Sequence, residues 1–402
     1  MRNVIRNVKL VQGGAITPCD IVLKEDIIEA VMPAGKAERG LPAVEGNGLY
    51  LSHGFLDIHC HGGGGADFMD GTEQAWRTAA RLHLTHGTTC MTPTTLSATT
   101  EELMRAFEIF YRCRDNIQDG ARMLGLHLEG PYFSHAQAGA QDPSQMRDPD
   151  PEEAAAMLAR CPDIVRWSLA PELPGALDMG RELTKRGVLA SIGHSDATYT
   201  EVSESIASGF THVTHLYSGC STITRVGGFR RGGIVEAAYV LDALTSEIIA
   251  DGCHLPAELL QMAYRFIGPK RLALITDAMR GAGQTAGESI LGSLENGQRV
   301  IIEDGVAKMP DRKAFAGSVA TADRLVRNMV QMAGASLPDA VEMMTATPAR
   351  IIGKSDITGT VAPGRKADLV LFDENIHIKM VWTDGIVRYE NREDMYAKEL
   401  QS

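Results

Sequence analysis

The stretch Gly54-Phe55-Leu56-Asp57-Ile58-His59-Cys60-His61, which runs straight into four glycines, holds the pattern from which the fold can be worked out. If residues 55–61 form a β-strand, alternate side chains share a face, so Asp57, His59 and His61 point the same way. Two imidazoles held two residues apart on a rigid strand converge on one point, as metal ligands do. Alone, a His-x-His pair is weak support, because it also arises by chance at protein surfaces.

The composition is that of an ordinary globular protein. The chain has 402 residues, of which 44% are hydrophobic and 22% charged, enough for one large domain and a small one. Lys and Arg number 39 against 51 Asp and Glu, which gives a net charge of -12. Basic residues are not interleaved with aromatic ones in any cluster, so we expect no nucleic-acid partner.

The sequence shows no signal for secretion or for a membrane. The N-terminus lacks the apolar core of a signal peptide, and no apolar run approaches the ~20 residues that span a bilayer. The seven cysteines are odd in number and form no CxxC pair. We therefore expect a protein of the reducing cytoplasm that does not act at a membrane.

Both ends of the chain are rich in short apolar strands separated by turns. Such strands occur at 4–10 and 20–23 near the start and at 367–373 and 376–382 near the end. This similarity predicts one small β-sandwich domain, built from residues 1–53 and 351–402.

Between the two ends, short apolar strands alternate with helical stretches, which is typical of βα units around a parallel sheet. Eight strands close a (β/α)8 barrel, and we predict that residues 54–350 form one. A nucleotide-binding fold has no support, because no Walker loop or G-x-G-x-x-G follows any strand. The predicted strands are 55–59, 88–92, 123–128, 164–170, 188–193, 211–215, 247–251 and 272–276.

The carboxyl ends of these strands carry side chains that bind metals. In a (β/α)8 barrel, catalytic groups lie at this end of the strands. Each residue alone has another explanation, since a strand-end His is often a hydrogen-bonded core residue and a strand-end Asp often caps the next helix. Together they form the mixture of a hydrolytic divalent-metal site. The residues are His59, His61, Glu129, His194, His215, Asp251, His254 and Asp277.

The chemistry of such a site needs a proton shuttle. A divalent ion lowers the pKa of water from about 15.7 to about 7, which provides hydroxide at neutral pH. A carboxylate can then take the proton of the water and return it to the leaving group. Asp277 is the candidate, because it lies at the end of the last strand, across the rim from the histidines. An alternative remains open, in which Asp277 is a metal ligand, alone or in addition.

The motifs and their order are similar to those of the N-acetylglucosamine-6-phosphate deacetylases of the amidohydrolase superfamily. The resemblance implies that Glu129, His194 and His215 hold the main catalytic metal and that Asp277 is the general base and acid. It further implies that acetate and an amino sugar phosphate are the products. The segments that carry it are residues 59–65, 127–132, 193–197, 214–217, 251–254, 276–278, 316–318 and 359–370.

The resemblance leaves the number and kind of metal ions open. Some family members lack the first His-x-His and use one metal, whereas others keep it and hold two. This chain has both His59 and His61, so we expect one or two divalent ions per chain, zinc or iron. Nitrogen and oxygen ligands alone do not choose between these metals. The resemblance also implies a homodimer, in which a loop of one subunit reaches the phosphate site of the other.

The departures from the family pattern concern the substrate. Ser218-Gly219-Cys220 stands where the family has Asn-Ala-Met, and Gln141 replaces a histidine. Arginines in the loop 222–233 could bind a phosphate or could be solvated charges. His254 matches a substrate-binding position. The candidate substrate-binding residues are therefore Gln141, Ser218, Gly219, Arg225, Arg230 and, by the resemblance, His254.

The expected reaction is the metal-dependent removal of the N-acetyl group of N-acetylglucosamine 6-phosphate. The same site could instead serve N-acetylgalactosamine 6-phosphate, a non-phosphorylated N-acetyl sugar or an N-acyl amino acid. A non-catalytic metal-binding barrel is the alternative from another class, but such a protein has no chemical reason to retain Asp277.

Overall fold

A computed structural model of the chain describes residues 2–391, so the end of the predicted C-terminal segment, residues 392–402, lies outside the described residues. Eight strands follow one another side by side, each parallel to the next. The last strand closes onto the first through Asp277, whose backbone N donates to the His59 carbonyl oxygen at 2.9 Å. The predicted (β/α)8 barrel is confirmed.

All eight predicted strands are present, but the last five end one to three residues earlier than predicted. At two of these ends the reason is local: His215 and Asp277 adopt positive φ angles of 26° and 47°, and this conformation turns the chain out of the ladder. These residues therefore lie beyond the strands, on the rim. The barrel strands are Phe55–Cys60, Thr88–Thr95, Leu126–Glu129, Ile164–Leu169, Leu189–Ile192, Phe210–Val213, Thr245–Ile248 and Leu272–Leu274.

The helices of the outer layer form where apolar residues recur at helical spacing after a capping residue. In Thr100–Cys113, Thr99 Oγ1 caps the start by accepting from the Glu102 backbone N, and Leu103 and Phe107 lie fully buried. Each such side chain stabilises the fold by about 1.5–3 kcal/mol. The other helices are Glu73–Thr85, Pro151–Arg160, Ala176–Lys185, Tyr199–Ser205, Ile234–Val240, Ala257–Phe266, Ala322–Gln331, Leu337–Met343 and Ala346–Ile351.

Both ends of the chain contribute to a second, mixed sheet beside the barrel, as predicted. Its junction is the antiparallel pair Tyr50–His53 and Leu369–Phe372, which joins the N-terminal strands to the C-terminal ones. We propose 53/54 as the first domain boundary, because Phe55–Cys60 already pairs within the barrel, and 350/351, at the end of the last helix, as the second. The remaining strands are Arg2–Gln12, Ala15–Lys24, Ile27–Pro33, Ala43–Glu45, Ile378–Thr383 and Ile386–Glu390.

Two insertions stand above the carboxyl ends of the barrel strands. One is the hairpin of Thr224–Val226 and Phe229–Arg231, called the arginine hairpin below. The other is a three-stranded sheet of Gly287–Leu291, Gln298–Glu303 and Val306–Lys308. The remaining short elements are the strands Gly62–Gly63, Ala66–Asp67 and Arg122–Met123 and the 3-10 helices Phe68–Asp70, His135–Gln137 and Ile206–Ser208. No helix among residues 2–391 is long and apolar enough to cross a membrane.

Candidate metal and active site

Glu129 lies at the centre of the cluster that the strand ends form. Its Oε1 is 2.9 Å from His215 Nε2 and 3.4 Å from His194 Nε2, and its Oε2 is 3.3 Å from His61 Nε2. Ligands bound tetrahedrally at 2.0–2.2 Å from one ion lie ~3.4 Å from each other, so these separations suit a shared cation. None of the cluster's residues is more than 8% exposed.

His59, His61 and Asp277 form a second group of donors that overlaps the first. The Nε2 atoms of the two histidines are 3.3 Å apart, and Asp277 Oδ1 lies 3.4 Å from one and 3.2 Å from the other. His59 Nε2 is also 3.4 Å from Glu129 Oε1, so the glutamate contacts both groups. The fold thus brings the six predicted metal and catalytic residues together.

Hydrogen bonds to the other ring nitrogen orient three of the histidines. His194 Nδ1 is 2.8 Å from the Gln137 carbonyl oxygen, and His215 Nδ1 is 2.9 Å from that of Ser218. His59 Nδ1 is 2.8 Å from Glu247 Oε1. An acceptor at Nδ1 holds the proton there and leaves the Nε2 lone pair facing the cluster, as a metal ligand requires.

The backbone at three rim residues adopts a conformation that is uncommon outside glycine. His194, His215 and Asp277 have φ angles of 47°, 26° and 47°. Each such residue costs about 1–3 kcal/mol, and strain of this kind is typical of functional sites. The side chains of His194 and His215 meet Glu129, and that of Asp277 meets His59 and His61.

Two predicted substrate-binding residues, Ser218 and Gly219, lie against candidate metal-binding histidines. The Ser218 carbonyl accepts from His215, as described above. Gly219 has a φ of 54°, and a Cβ at this position would lie 2.8 Å from His194 Nδ1. Both residues line the same cavity as the cluster, so contact with a substrate is still open to them.

The electrostatics of the cluster favour a cation. Burial alone would lower the pKa of His59 and His61, but the carboxylates of Glu129 and Asp277 outweigh it and raise these pKa values to about 9 and about 10. Burial likewise would raise the pKa of both carboxyls, but the facing imidazoles hold each pKa below its usual range. Oxygen and nitrogen donors that attract this much positive charge fit a divalent ion.

A cavity of about 210 Å³ opens onto the cluster. Asp277 and His254 reach it from one side, and the apolar side chains of Leu96, Leu291 and Phe315 form other parts of its wall. A larger groove of about 440 Å³ adjoins it and shares Leu96 and Leu291 with it. A small polar group entering the cavity would therefore meet metal-binding and acid-base groups against an apolar wall.

Gln141 and His254 occupy different parts of this cavity. Gln141 Nε2 donates to Glu129 Oε2 at 2.6 Å, and its Oε1 accepts from the Ser97 backbone N at 2.9 Å. The amide thus holds the central carboxylate. His254 Nδ1 is 2.9 Å from Asp251 Oδ2, and its ring lies against Phe315 at 4.8 Å. That arrangement leaves Nε2 as the ring nitrogen available to a substrate.

The candidate arginines lie apart from the cavity of their own chain. Arg225 and Arg230 are paired in the antiparallel register of the arginine hairpin, and every residue of its two strands is exposed. Phe229 on the same hairpin is 79% exposed. Within residues 2–391 the cavity is lined by other side chains.

Sequence reasoning missed a layer of charged residues beneath the rim. Arg166 and Glu247 are completely buried inside the barrel, where Glu247 contacts His59, His212 and Arg166. A signal was available: each is a charged residue in the middle of a short strand, where a buried ionic group needs a partner.

Comparisons with known proteins agree with the site. Residues 50–389 match the model of the Amidohydrolase family. An N-acetylglucosamine-6-phosphate deacetylase of Lysinibacillus sphaericus is 32% identical, over 96% of this chain and 98% of that protein. An N-acetylgalactosamine-6-phosphate deacetylase of Escherichia coli O157:H7 is 30% identical, over 96% of this chain and 99% of that protein.

Solved structures show the same likeness. The N-acetyl-D-glucosamine-6-phosphate deacetylase of Mycobacterium smegmatis, in complex with N-acetyl-D-glucosamine-6-phosphate, has a TM-score of 0.88 at 29% identity, covering 96% of this chain and 99% of that one. The enzyme of Pasteurella multocida has a TM-score of 0.90 at 25% identity, covering 97% and 100%. This chain therefore belongs to the amidohydrolase family, among the N-acetylglucosamine-6-phosphate deacetylases.

Proposed function

We propose that this protein hydrolyses the N-acetyl group of N-acetylglucosamine 6-phosphate, which yields glucosamine 6-phosphate and acetate. The observation that carries the proposal is the cluster around Glu129, in which four imidazoles and Asp277 converge beside a cavity. Similar proteins named for this activity, matched over nearly their whole length, support the choice of substrate.

The site residues divide into two metal positions. Glu129, His194 and His215 would hold one divalent ion, and His59 and His61 with the neighbouring carboxylates would hold a second, with zinc or iron as the expected metal. A bound ion would lower the pKa of water to about 7 and polarise the acetyl carbonyl. The ring nitrogens and carboxylates of this chain would determine the positions of the ions and therefore of the activated water.

Asp277 moves the proton. Its pKa is held below the usual range by the facing imidazoles despite burial, so the carboxylate is ionised at neutral pH and can act as a base. It takes the proton of the attacking water and returns it to the amine that leaves as the C–N bond breaks. The apolar wall of Leu96 and Leu291 limits the access of other water.

His254 and the arginine hairpin would hold the sugar phosphate. His254 is oriented by Asp251 and presents Nε2 to the cavity. Because Arg225 and Arg230 do not line the cavity of their own chain, we infer that they serve the cavity of a second copy, in a homodimer. The exposed Phe229 on the same hairpin supports this, since a large apolar side chain is better covered by a partner.

We place the protein in the cytoplasm. All seven cysteines are free, and six of them are buried. Unpaired cysteines in this number suit a reducing compartment, in which disulfides do not form.

N-acetylgalactosamine 6-phosphate is the second candidate substrate. It is favoured by the relative of that activity, which matches this chain over 99% of its own length. The replacement of the family Asn-Ala-Met by Ser218-Gly219-Cys220 alters the side of the cavity next to His215, where a sugar would be distinguished.

The test is acetate release by the purified, metal-loaded protein from four compounds: N-acetylglucosamine 6-phosphate, N-acetylgalactosamine 6-phosphate and their two unphosphorylated sugars. We expect the highest kcat/KM with the first compound. A higher kcat/KM with the second would move the assignment to the galactosamine form. A protein that releases acetate from neither of the two phosphorylated sugars would contradict the proposed function.

A further inference from the structure

An ion pair lies inside the barrel directly beneath the metal cluster. Arg166 and Glu247 are each 0% exposed, and Arg166 Nη2 donates to Glu247 Oε1 at 2.9 Å while Nη1 donates to Oε2. Removing two charges from water is costly, and a buried pair is often no more stabilising than apolar residues of the same volume. Stability alone therefore does not account for this pair.

Glu247 connects the pair to two candidate metal ligands. Its Oε1 is 2.8 Å from His59 Nδ1 and also accepts from the backbone N of His215 at 3.2 Å. Its Oε2 lies 3.3 Å from His212 Nε2. One carboxylate thus holds the ring of His59 and the backbone of His215.

For the neutral ring, which is the form that binds a metal, the hydrogen-bond geometry around His59 permits two tautomers with opposite consequences. Arg166 Nη2 is 3.1 Å from His59 Nδ1, and arginine can only donate. If it donated there, the histidine proton would lie on Nε2, facing His61 Nε2 at 3.3 Å. If instead Nδ1 donates to Glu247, Nε2 presents a lone pair to the cluster.

His127 accepts the Arg166 hydrogen that could otherwise be donated to His59. Its Nδ1 lies 3.0 Å from Arg166 Nη2, and its Nε2 lies 2.7 Å from Ser168 Oγ. Thr94 Oγ1 is 3.2 Å from the same Nδ1, but its hydroxyl donates to the Thr92 carbonyl oxygen. The two hydrogens of Nη2 are then used by Glu247 and His127, and none is left for His59. With Arg166 neutralising its charge, Glu247 is free to accept from His59 Nδ1.

We propose that Glu247, held by Arg166, is a positioning residue that keeps His59 in the Nδ1–H tautomer and so makes the second metal position fillable. The proposal rests on the proposed metal-dependent function. Nothing in it requires Glu247 to touch substrate or metal. Partners of this kind, behind a ligating histidine, change metal affinity by about 10- to 100-fold when they are removed.

The variant that tests this is Arg166→Met with Glu247→Met, which removes both charges together and conserves volume, so no lone buried charge remains. Arg166→Leu with Glu247→Leu, which also leaves no lone buried charge, is the second variant, in case the first double change does not fold. His212→Gln is the matched control, because it alters a contact of the same carboxylate and leaves the bond to His59. Circular dichroism checks the fold of each protein before measurement.

The readout is zinc binding to the chelator-stripped full-length protein, titrated with zinc alone. We expect the wild type and His212→Gln to bind two ions per chain, and the Glu247 variants to bind the second ion about 10- to 100-fold more weakly. In a His59→Gln background, the double change at Arg166 and Glu247 should have no further effect on zinc affinity.

The outcomes separate this inference from the proposed function. If the Glu247 variants bind the second ion within threefold of the wild type, or if the wild type binds only one ion, the inference is wrong while acetate release still stands. An equal loss in His212→Gln would also overturn it, since the effect would then be a general one on the barrel interior. A wild type that binds no zinc and releases no acetate would refute the proposed function itself.

Discussion

The candidate metal-binding side chains around Glu129 and the arginine hairpin lie above the same barrel, but they differ in burial and in the contacts they make. The cluster's side chains are buried and contact each other at 2.9–3.4 Å. The hairpin has two strands of three residues, all exposed. The candidate catalytic groups therefore lie together within one chain, whereas the proposal has the arginines of the hairpin act on a second copy.

The difference has a physical cause. Each rim residue exchanges water for a strong partner, as Glu129 does with His215, and a hydrogen bond that involves a charged group contributes about 1.5–3 kcal/mol. A two-stranded hairpin without a packed face is marginally stable alone. A covering partner would supply the contacts that Phe229 lacks in its own chain.

The largest effect should come from Asp277→Asn. Loss of the proton shuttle should lower kcat about 10²- to 10⁴-fold, because the amide cannot accept the proton of the water. The ion held by Glu129, His194 and His215 should be retained, which distinguishes a proton-transfer defect from loss of that ion. Asp178→Asn, on an outer helix with an 83% exposed side chain, is the matched control and should keep full activity. A similar loss in both variants would remove the special role of Asp277.

The burial of His83 predicts that the stability of the fold depends on pH. His83 lies behind the cluster, where its Nε2 is 2.9 Å from the Gly62 carbonyl oxygen, and burial lowers its pKa to about 4. The unfolded chain takes up a proton near pH 6.5 that the folded chain refuses, so stability is full above that pH and declines toward pH 4.

His83→Gln, which can still donate to Gly62, should remove this contribution. Urea unfolding at pH 7 and pH 5 should show that the wild type loses about 2 kcal/mol more than the variant over this interval. Equal losses in the two proteins would mean that His83 is not kept neutral by burial. A substitution on the exposed hairpin, Arg231→Gln, should leave the pH dependence as in the wild type.

The hairpin should affect binding more than chemistry. Arg225→Ala with Arg230→Ala should raise KM for N-acetylglucosamine 6-phosphate about 10- to 100-fold, since a charge-assisted contact contributes about 1.5–3 kcal/mol, with little change in kcat. KM for an unphosphorylated sugar should not change. Unchanged KM for the phosphate would remove these arginines from the site.

Mixing two inactive or weakened chains tests whether the hairpin acts on a second copy. Co-expressed with the Asp277→Asn chain, the double arginine variant should regain a low KM, because its intact cluster is then served by the partner's intact hairpin. If the mixture shows only the high KM, the hairpin does not act across the dimer.

The smallest effect is expected from Gly219→Ala, which combines backbone strain with a new contact on the candidate metal ligand His194. Gly219→Ala places a Cβ 2.8 Å from His194 Nδ1, at a φ of 54°. We expect a loss of metal affinity and activity of about 10-fold, together with a loss of about 1 kcal/mol in stability. Gly187→Ala, at a φ of 73° with nothing within 4 Å, carries the same backbone cost and should lose stability only.

The sequence predicted the features that depend on neighbouring residues better than those that depend on residues far apart in the chain. The strands and the rim residues follow from period-two alternation and from strand ends, as with Phe55–Cys60 and His61. Gln141 lines the cavity, and its role at the substrate stays a prediction; its hydrogen bond to Glu129, 12 positions away, depends on the path of the loop and was not predicted. Arg166 and Glu247 are 81 residues apart, and nothing local in either strand reveals that they pair.

The most direct test of the whole account is to strip the purified protein with a chelator and return a divalent ion stepwise. We expect the stripped protein to release no acetate from N-acetylglucosamine 6-phosphate and to recover as the first equivalent per chain binds, through Glu129, His194 and His215. His215→Ala should not recover at the same ion concentration. A stripped protein with full activity and less than about 0.1 ion per chain would contradict the account.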